Sequence, residues 1–466
     1  MGAAQGREVV STAAIPIEYI IRRIEDHPTF SVSVAVPFGS QHMPGGGAAL
    51  LQRMVQQGTA AYPHPDSVDM ALDSVGATLH THCSPSHSLY TLNSPRQHAC
   101  IMVRILSEIL LYPLLEEAQF DIQSMIFEED THAASRRAAN QWRRWLQVDA
   151  EPQSGLQLSQ LQGLWAQHHR VGEMSLVVHG DWEGSEDTLF GWLRHYFGPL
   201  AASGRTQGDS EEHAGTVRTQ LRQRMLSAGP EHRAADLALR DIPAYLHRET
   251  PAGSPHLVVL AYPLEIRYSS PEHFALLVLS DVLGGGKGSR LKRRARECRA
   301  WAQAIESRTE IAPPPRRSWL VVCATVSENS CASTTQSLLQ AISTFWKAIT
   351  ASEIDHSVQR LASRLDMELT QAHPVARRLS RHFVHRCSQM DGIRWERDQL
   401  IATEHDTVRE LARSCLGAGR CRMLLSAPRD TLAGLARQLA AGTHHHRSAG
   451  GSSSRSGGDL AVPARA

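Results

Sequence analysis

The sequence predicts an α+β protein made of two tandem, homologous α/β units, each a mostly antiparallel sheet packed with helices. Three observations predict this. Short strand-like alternations lead into longer stretches of helical period, and the same order of elements returns about 225 to 245 residues later. Between the two series lies a polar, Gly-containing stretch, Ala201 to Thr216. A chain of 466 residues that is 42% hydrophobic and 20% charged has the apolar material for two such units. The first unit is expected over residues 1–210 and the second over 211–441. The Gly/Ser-rich residues 442–466 are expected to be a disordered, low-complexity tail.

In the first unit, Ser31 to Phe38 alternates as a half-buried strand. Ala48 to Gln57 then carries Leu50, Leu51, Met54 and Val55 at helical spacing. Thr78 to Asn93 is strand-like and precedes two amphipathic helices, Gln97 to Leu111 and Glu116 to Ala134. Met174 to His179 is a short apolar strand, and Ser185 to Phe197 a helix. In the second unit the counterparts are the strand His256 to Pro263, the helix Pro271 to Leu283 and the strand Ser318 to Val326. Helices Thr334 to Thr350 and Glu353 to Thr370 follow, then the strand Cys421 to Ala427 and the helix Thr431 to Leu439.

Composition excludes several classes of function. With 48 Lys and Arg against 47 Asp and Glu, there is no global field to draw nucleic acid or an anionic membrane, so any basic patch must be local. The most apolar run, Ile101 to Leu115, is broken by Arg104, Ser107, Glu108 and Pro113 and is no spanning helix. Eight cysteines without a Cys-x-x-Cys pair fit neither a disulfide framework nor a zinc ribbon and point to a reducing compartment. The 25 histidines are mostly isolated and read as surface or core residues, with His444 to His446 solvated in the tail. Glu8, Glu18 and Glu25 beside Arg7, Arg22 and Arg23 make no clear matrix presequence. No Gly-x-Ser-x-Gly elbow is present.

Four stretches carry a resemblance, and together they span about Ser31 to Leu439. The first is Gly47 to Thr59, which resembles the inverted zinc motif of the pitrilysin/insulinase class of zinc peptidases: His-x-x-Glu-His, then Met and Gly-Thr. The scaffold is kept, but the two ligand positions hold Ala49 and Arg53, and the general-base position holds Gln52. The second is Glu129, which falls at the family's third-ligand position; the resemblance makes it a relic ligand able to pair with Arg53 across the former metal site. Without the other stretches, Ala48 to Gln57 reads simply as an amphipathic helix.

The third stretch runs from Leu276 to Leu291 and resembles the family's second-half signature, an apolar helix leading into a Gly-rich loop and Ser-Arg-Leu. Asp281 and Ser289 break the phosphate-loop and dinucleotide patterns. Four glycines in the five residues Gly284 to Gly288 read as a mobile loop or a flexible helix end. The resemblance to the α subunit of mitochondrial processing peptidase, which has Gly-Lys-Gly at this place, makes Gly284, Gly285, Gly286, Lys287 and Gly288 candidate substrate-binding residues. The fourth is Arg296 to Gln303, where active relatives often have Arg-Glu-x-Arg-Gly-Leu-x-Tyr: Arg296 is kept as a candidate substrate contact, while Tyr is replaced by Gln303 and Gly by Ala300.

The resemblance thus implies a subunit with no catalytic residue, no zinc and no other cofactor. It also implies a heterodimer with a homologous peptidase-family chain, in the mitochondrial matrix or on the matrix face of the inner membrane. Two roles follow from it: a core protein of ubiquinol–cytochrome c oxidoreductase among complex III subunits, or the substrate-binding α subunit of the processing peptidase, meeting presequence peptides. An active zinc endopeptidase is the third and least favoured, and a nucleic-acid partner is not expected.

Overall fold

A computed structural model describes residues 7–11, 17–136, 146, 155–198, 245–249, 256–297, 302–311, 318–326, 331–385, 392–416 and 420–427, apart from positions 41, 44, 45, 85, 86 and 269. The predicted divide at 210/211, the helix Thr431 to Leu439 and the tail lie outside them.

The repeat is visible in the sheets. The first half contains β1 (Arg7–Ser11), β2 (Glu18–Arg23), β3 (Thr29–Val36), β4 (Thr78–Cys83), β5 (Ser88–Pro95) and β6 (Ser175–Gly180), in the order β1-β2-β6-β3-β5-β4. The second contains β7 (Tyr245–Glu249), β8 (His256–Leu264), β9 (Ala304–Glu310), β10 (Ser318–Val326) and β11 (Arg422–Ala427), in the order β7-β11-β8-β10-β9. Apart from the extra edge strand β1, the orders superpose strand for strand. In each, one neighbouring pair is parallel (β2 with β6, β7 with β11) and the rest are antiparallel.

Period-two alternation fixes which face each residue takes. In β3, Phe30, Val32, Val34 and Val36 enter a core under the first half's helices, while Ser31, Ser33 and Ala35 point to the other face. In β8 and β10, Val258, Leu260, Tyr262, Leu320 and Val322 join the second half's helix-side core; Leu257, Val259, Ala261, Trp319, Val321 and Cys323 form the opposite face.

The helices of the first half are α1 (Gly47–Met54), α2 (Ser67–Asp73), α3 (Ala99–Leu111), α4 (Glu117–Arg136), α5 (Leu158–His168) and α6 (Glu186–Phe197). Those of the second are α7 (Pro271–Ser280), α8 (Arg290–Glu297), α9 (Cys331–Ser343), α10 (Phe345–Ala348), α11 (Ala351–Glu368), α12 (Ala372–His385), α13 (Gly392–Ile401) and α14 (His405–Cys415). Helix α6 begins at a capping box in which Ser185 and Thr188 satisfy each other's backbone N–H. Thr350 and Glu353 do the same for α11.

The halves exchange cover. Helix α12 lies across β3, β5 and β6 of the first sheet, with Val375 and Leu379 sharing a core with Ile20 and Val177. Conversely, Leu146 of the first half packs into the apolar outer face of the second sheet with Val259, Trp319 and Leu424.

Three predicted elements divide. Thr78 to Asn93 is a hairpin, because Ser84 and His87 close a turn: Ser84 N–H donates to His87 O at 2.8 Å, and His87 N–H to Ser84 Oγ at 3.0 Å. Thr334 to Thr350 is two helices, broken where Ser343 and Thr344 hydroxyls donate back to Gln340 O at 3.0 and 2.9 Å. Pro271 to Leu283 leaves regular helix at Ser280 and continues as a π-helical turn, Asp281–Gly285.

Candidate functional site: the relic metal helix and the Gly-rich turn

Helix α1 opens at Gly46, whose φ of +83° suits glycine and whose missing Cβ leaves room for the Phe127 ring of α4. That contact seats α4 against α1 and puts the backbone of Glu129 two residues farther along the crossing helix. The Glu129 side chain lies outside the described residues.

On α1, Ala49 and Arg53 are half-buried, and Gln52 is 5% exposed. The Gln52 amide donates to the Leu89 carbonyl of β5 at 3.2 Å, and the Gln52 backbone carbonyl accepts from Gln56 Nε2 at 2.6 Å. The Arg53 guanidinium lies 5.8 Å from the centroid of Phe127. The chemistry of these positions is plain. Ala49 has no donor atom, Gln52 cannot take a proton from water, and Arg53 holds a fixed cation where the metal would be bound. This donor set does not fit a zinc ion. Among the described residues, no three His, Cys, Asp or Glu side chains converge on a metal-sized site.

Beside this helix, sequence reading missed a small aromatic cluster. Phe38 stacks on His168 with centroids 4.8 Å apart, and His42 lies 5.6 Å from His168. His42 Nδ1 accepts the Gly39 N–H at 3.0 Å. Burial and the Arg170 charge lower the His168 pKa. Burial, with the His168 charge, pushes its neighbour His169 down to about 3. In sequence these histidines are scattered; only the fold brings 38, 42 and 168 together.

In the second half, the helix that follows the matching central strand is α7, and its π-helical turn contains the first two glycines of the loop. A Cβ on Gly284 would come within 2.7 Å of the Ser307 backbone nitrogen of β9. Cβ atoms on Gly285 and Gly286 would collide with Asp281 and Arg360, which form an ion pair over the turn. Lys292 Nζ donates to Gly285 O at 2.8 Å. These three glycines thus answer to close packing, a different cause from the mobility expected from sequence. Lys287 and Gly288 are exposed, and a Cβ at Gly288 would meet nothing.

Next to the turn, Arg290 grips Glu353 of α11 through Nε and Nη2, at 2.6 and 2.5 Å. Burial raises the Glu353 pKa, but Arg290 and the Thr350 cap outweigh it and hold the carboxyl at about 2. Arg296 is exposed on α8, and Gln303 is exposed where its N–H donates to Thr325 O at 2.8 Å. The residues joining them, 298–301, lie outside the described ones.

Comparison with known proteins agrees with this two-unit architecture. The family model "Insulinase (Peptidase family M16)" matches residues 20–159, and "Peptidase M16 inactive domain" matches residues 155–361. A search of curated proteins returns no match. Among solved structures, a protease from Helicobacter pylori matches with a TM-score of 0.71 at 13% identity, covering 91% of this chain and 100% of that one. A peptidase M16 inactive domain from Pseudomonas fluorescens gives 0.68 at 15% identity, over 91% and 98%. A putative M16-like peptidase from Alicyclobacillus acidocaldarius gives 0.68 at 12% identity, over 92% and 99%. At these identities the structures speak for the fold, while the two family models cover most of the chain in tandem: the chain belongs to peptidase family M16.

Proposed function

We propose that this chain is a non-catalytic M16 subunit, acting as one wall of a heterodimer with a homologous chain, as a core protein of mitochondrial ubiquinol–cytochrome c oxidoreductase on the matrix face of the inner membrane. The observation that supports this most directly is the set Ala49, Gln52 and Arg53, which keeps the helix of a zinc peptidase and removes both the metal donors and the base. A second reading, the α subunit of the processing peptidase, is favoured by Gly286-Lys287-Gly288 ahead of Ser289-Arg290-Leu291, with Lys287 and Gly288 exposed.

Two measurements test the proposal. Elemental analysis of the purified chain should find no stoichiometric zinc, and presequence peptides should stay intact; about one zinc per chain, lost on chelation together with cleavage, would sink it. Affinity purification of the endogenous protein should recover respiratory-complex subunits. Recovery of an active processing peptidase instead, with cleavage slowed several-fold by deleting Gly285 and Gly286 while folding is unchanged, would replace the first reading by the second.

A further inference from the structure

Where α12 meets the first sheet, two of its arginines have no acid of their own among the described residues. Along one face of α12, His373, Arg377 and Arg381 follow at intervals of four, which stacks their side chains in a stripe. At the head of the stripe, His373 stacks on His80 of β4, centroids 4.2 Å apart and planes at 29°, so the two halves meet there. Arg377 and Arg381 are both half-buried, and neither has a hydrogen-bond or ion-pair partner among the described residues.

The surrounding acids are engaged elsewhere. Glu368, the acid whose charge reaches Arg377, is bonded by Arg378 and lies 3.6 Å from Arg364. Glu396 is held by Arg378 at 2.6 Å and His382 at 2.7 Å, and Asp366 by Arg397 at 2.8 Å. Asp281 pairs with Arg360. Burial first, and then the like charge of Arg381, lower the Arg377 pKa; Glu368 opposes them, and Arg378 and Arg364 add smaller lowering effects. The exposed arginines of α8 can rely on water for their charge. A half-buried guanidinium flanked by its own kind relies on water less, and a bidentate oxyanion is the natural complement to such a fork.

We propose that Arg377 and Arg381, with His373 and His80 at the end of the stripe, form a binding site for a phosphate-type oxyanion at the junction of the two halves. The ligand is either a soluble phosphate or a phospholipid headgroup, and its occupancy fastens α12 to the edge strand β4.

Calorimetric and thermal-melt titration of the full chain with inorganic phosphate, at constant ionic strength set by chloride, tests this. Saturable binding with a dissociation constant of about millimolar or tighter is expected. It should weaken at least about tenfold in Arg377→Gln/Arg381→Gln and stay unchanged in Arg293→Gln on α8. Arg377→Lys/Arg381→Lys keeps the charge and removes the fork, and should bind with intermediate affinity. A parallel arm uses vesicles of anionic and of zwitterionic phospholipid. Anionic vesicles displaced by phosphate with the same arginine dependence identify the headgroup; phosphate binding without vesicle binding identifies the soluble ion. The proposal is overturned if phosphate gives no saturable heat with the wild-type chain. It is equally overturned if the Gln pair binds phosphate as the wild type does, or if only an acidic peptide such as polyglutamate binds. The wild-type titration decides the matter even where a variant fails to fold.

Discussion

The two sheets share one strand order but present opposite outer faces. That of the first is dominated by small and polar residues, Ser31, Ser33, Ala35, Thr91, Asn93 and His179, and it is covered by α12. That of the second is apolar, from Leu257, Val259 and Ala261 through Trp319, Val321 and Cys323 to Leu424, with Leu146 against it. Ser33 Oγ lies 2.8 Å from Thr91 Oγ1 and 3.4 Å from Ser380 Oγ of α12, so the first interface locates its helix by hydrogen bonds and by the closeness that small residues allow. The second relies on area removed from water. One topology can therefore be sealed by either kind of force, and the two faces should fail differently.

The largest expected difference is in truncation. Trp319→Ala should destabilise the chain by about 3–5 kcal/mol, since it removes a buried indole from an apolar face, whereas Ser33→Ala should cost about 1 kcal/mol for its lost hydrogen bond. Urea denaturation of both variants measures the contrast. Equal losses would show that the faces are energetically alike.

Between the two outer faces, acid should then act on that of the first sheet. Burial, followed by the charges of Arg22 and His27, pushes His179 down to about 3, while an unfolded histidine titrates near 6.5. Between these values the unfolded chain binds the extra proton. The stability held by a neutral His179 is therefore complete above about pH 6.5 and is lost as the pH falls towards 3. His179→Leu should flatten that decline in a pH series of melts. On the second sheet's outer face, burial and then Glu306 raise Cys323 to about 12, so Cys323→Ala should leave the acid limb unchanged.

The smallest contrast lies within the Gly-rich turn. Gly284→Ala drives a Cβ into backbone of β9 and should cost about 1–3 kcal/mol. Gly286→Ala meets the end of the Arg360 side chain, which can move away, so a loss below about 1 kcal/mol is expected. Similar melts for the two would remove the packing explanation of the loop.

Much of the architecture was legible because period decides it: β10 matches the predicted strand residue for residue, and α6 and β8 fall within a residue of their predicted bounds. Strands β2 and β9 were missed because Arg22, Arg23, Glu306 and Arg308 place charge where apolar alternation is looked for, although pairing to a neighbour satisfies such backbone equally well. The degenerate motif on α1 was legible as residue types. What sequence could not show was the hold on them, since the Gln52 bond to Leu89 and the Arg53 position over Phe127 depend on chain far away. The stripe of arginines on α12 was also out of reach, because its meaning lies in the pairing of the nearby acids with other arginines.

The exchange of cover between the halves has a consequence for synthesis. A ribosome completes β6, and with it the first sheet, roughly two hundred residues before it makes α12, so that sheet's outer face must wait bare. A waiting face rich in serine, threonine and asparagine can stay wetted without adhering to other nascent chains. The apolar face of the second sheet is made last, when Leu146 has long since emerged and can meet it at once. The difference between the two faces thus follows the order in which the chain is born.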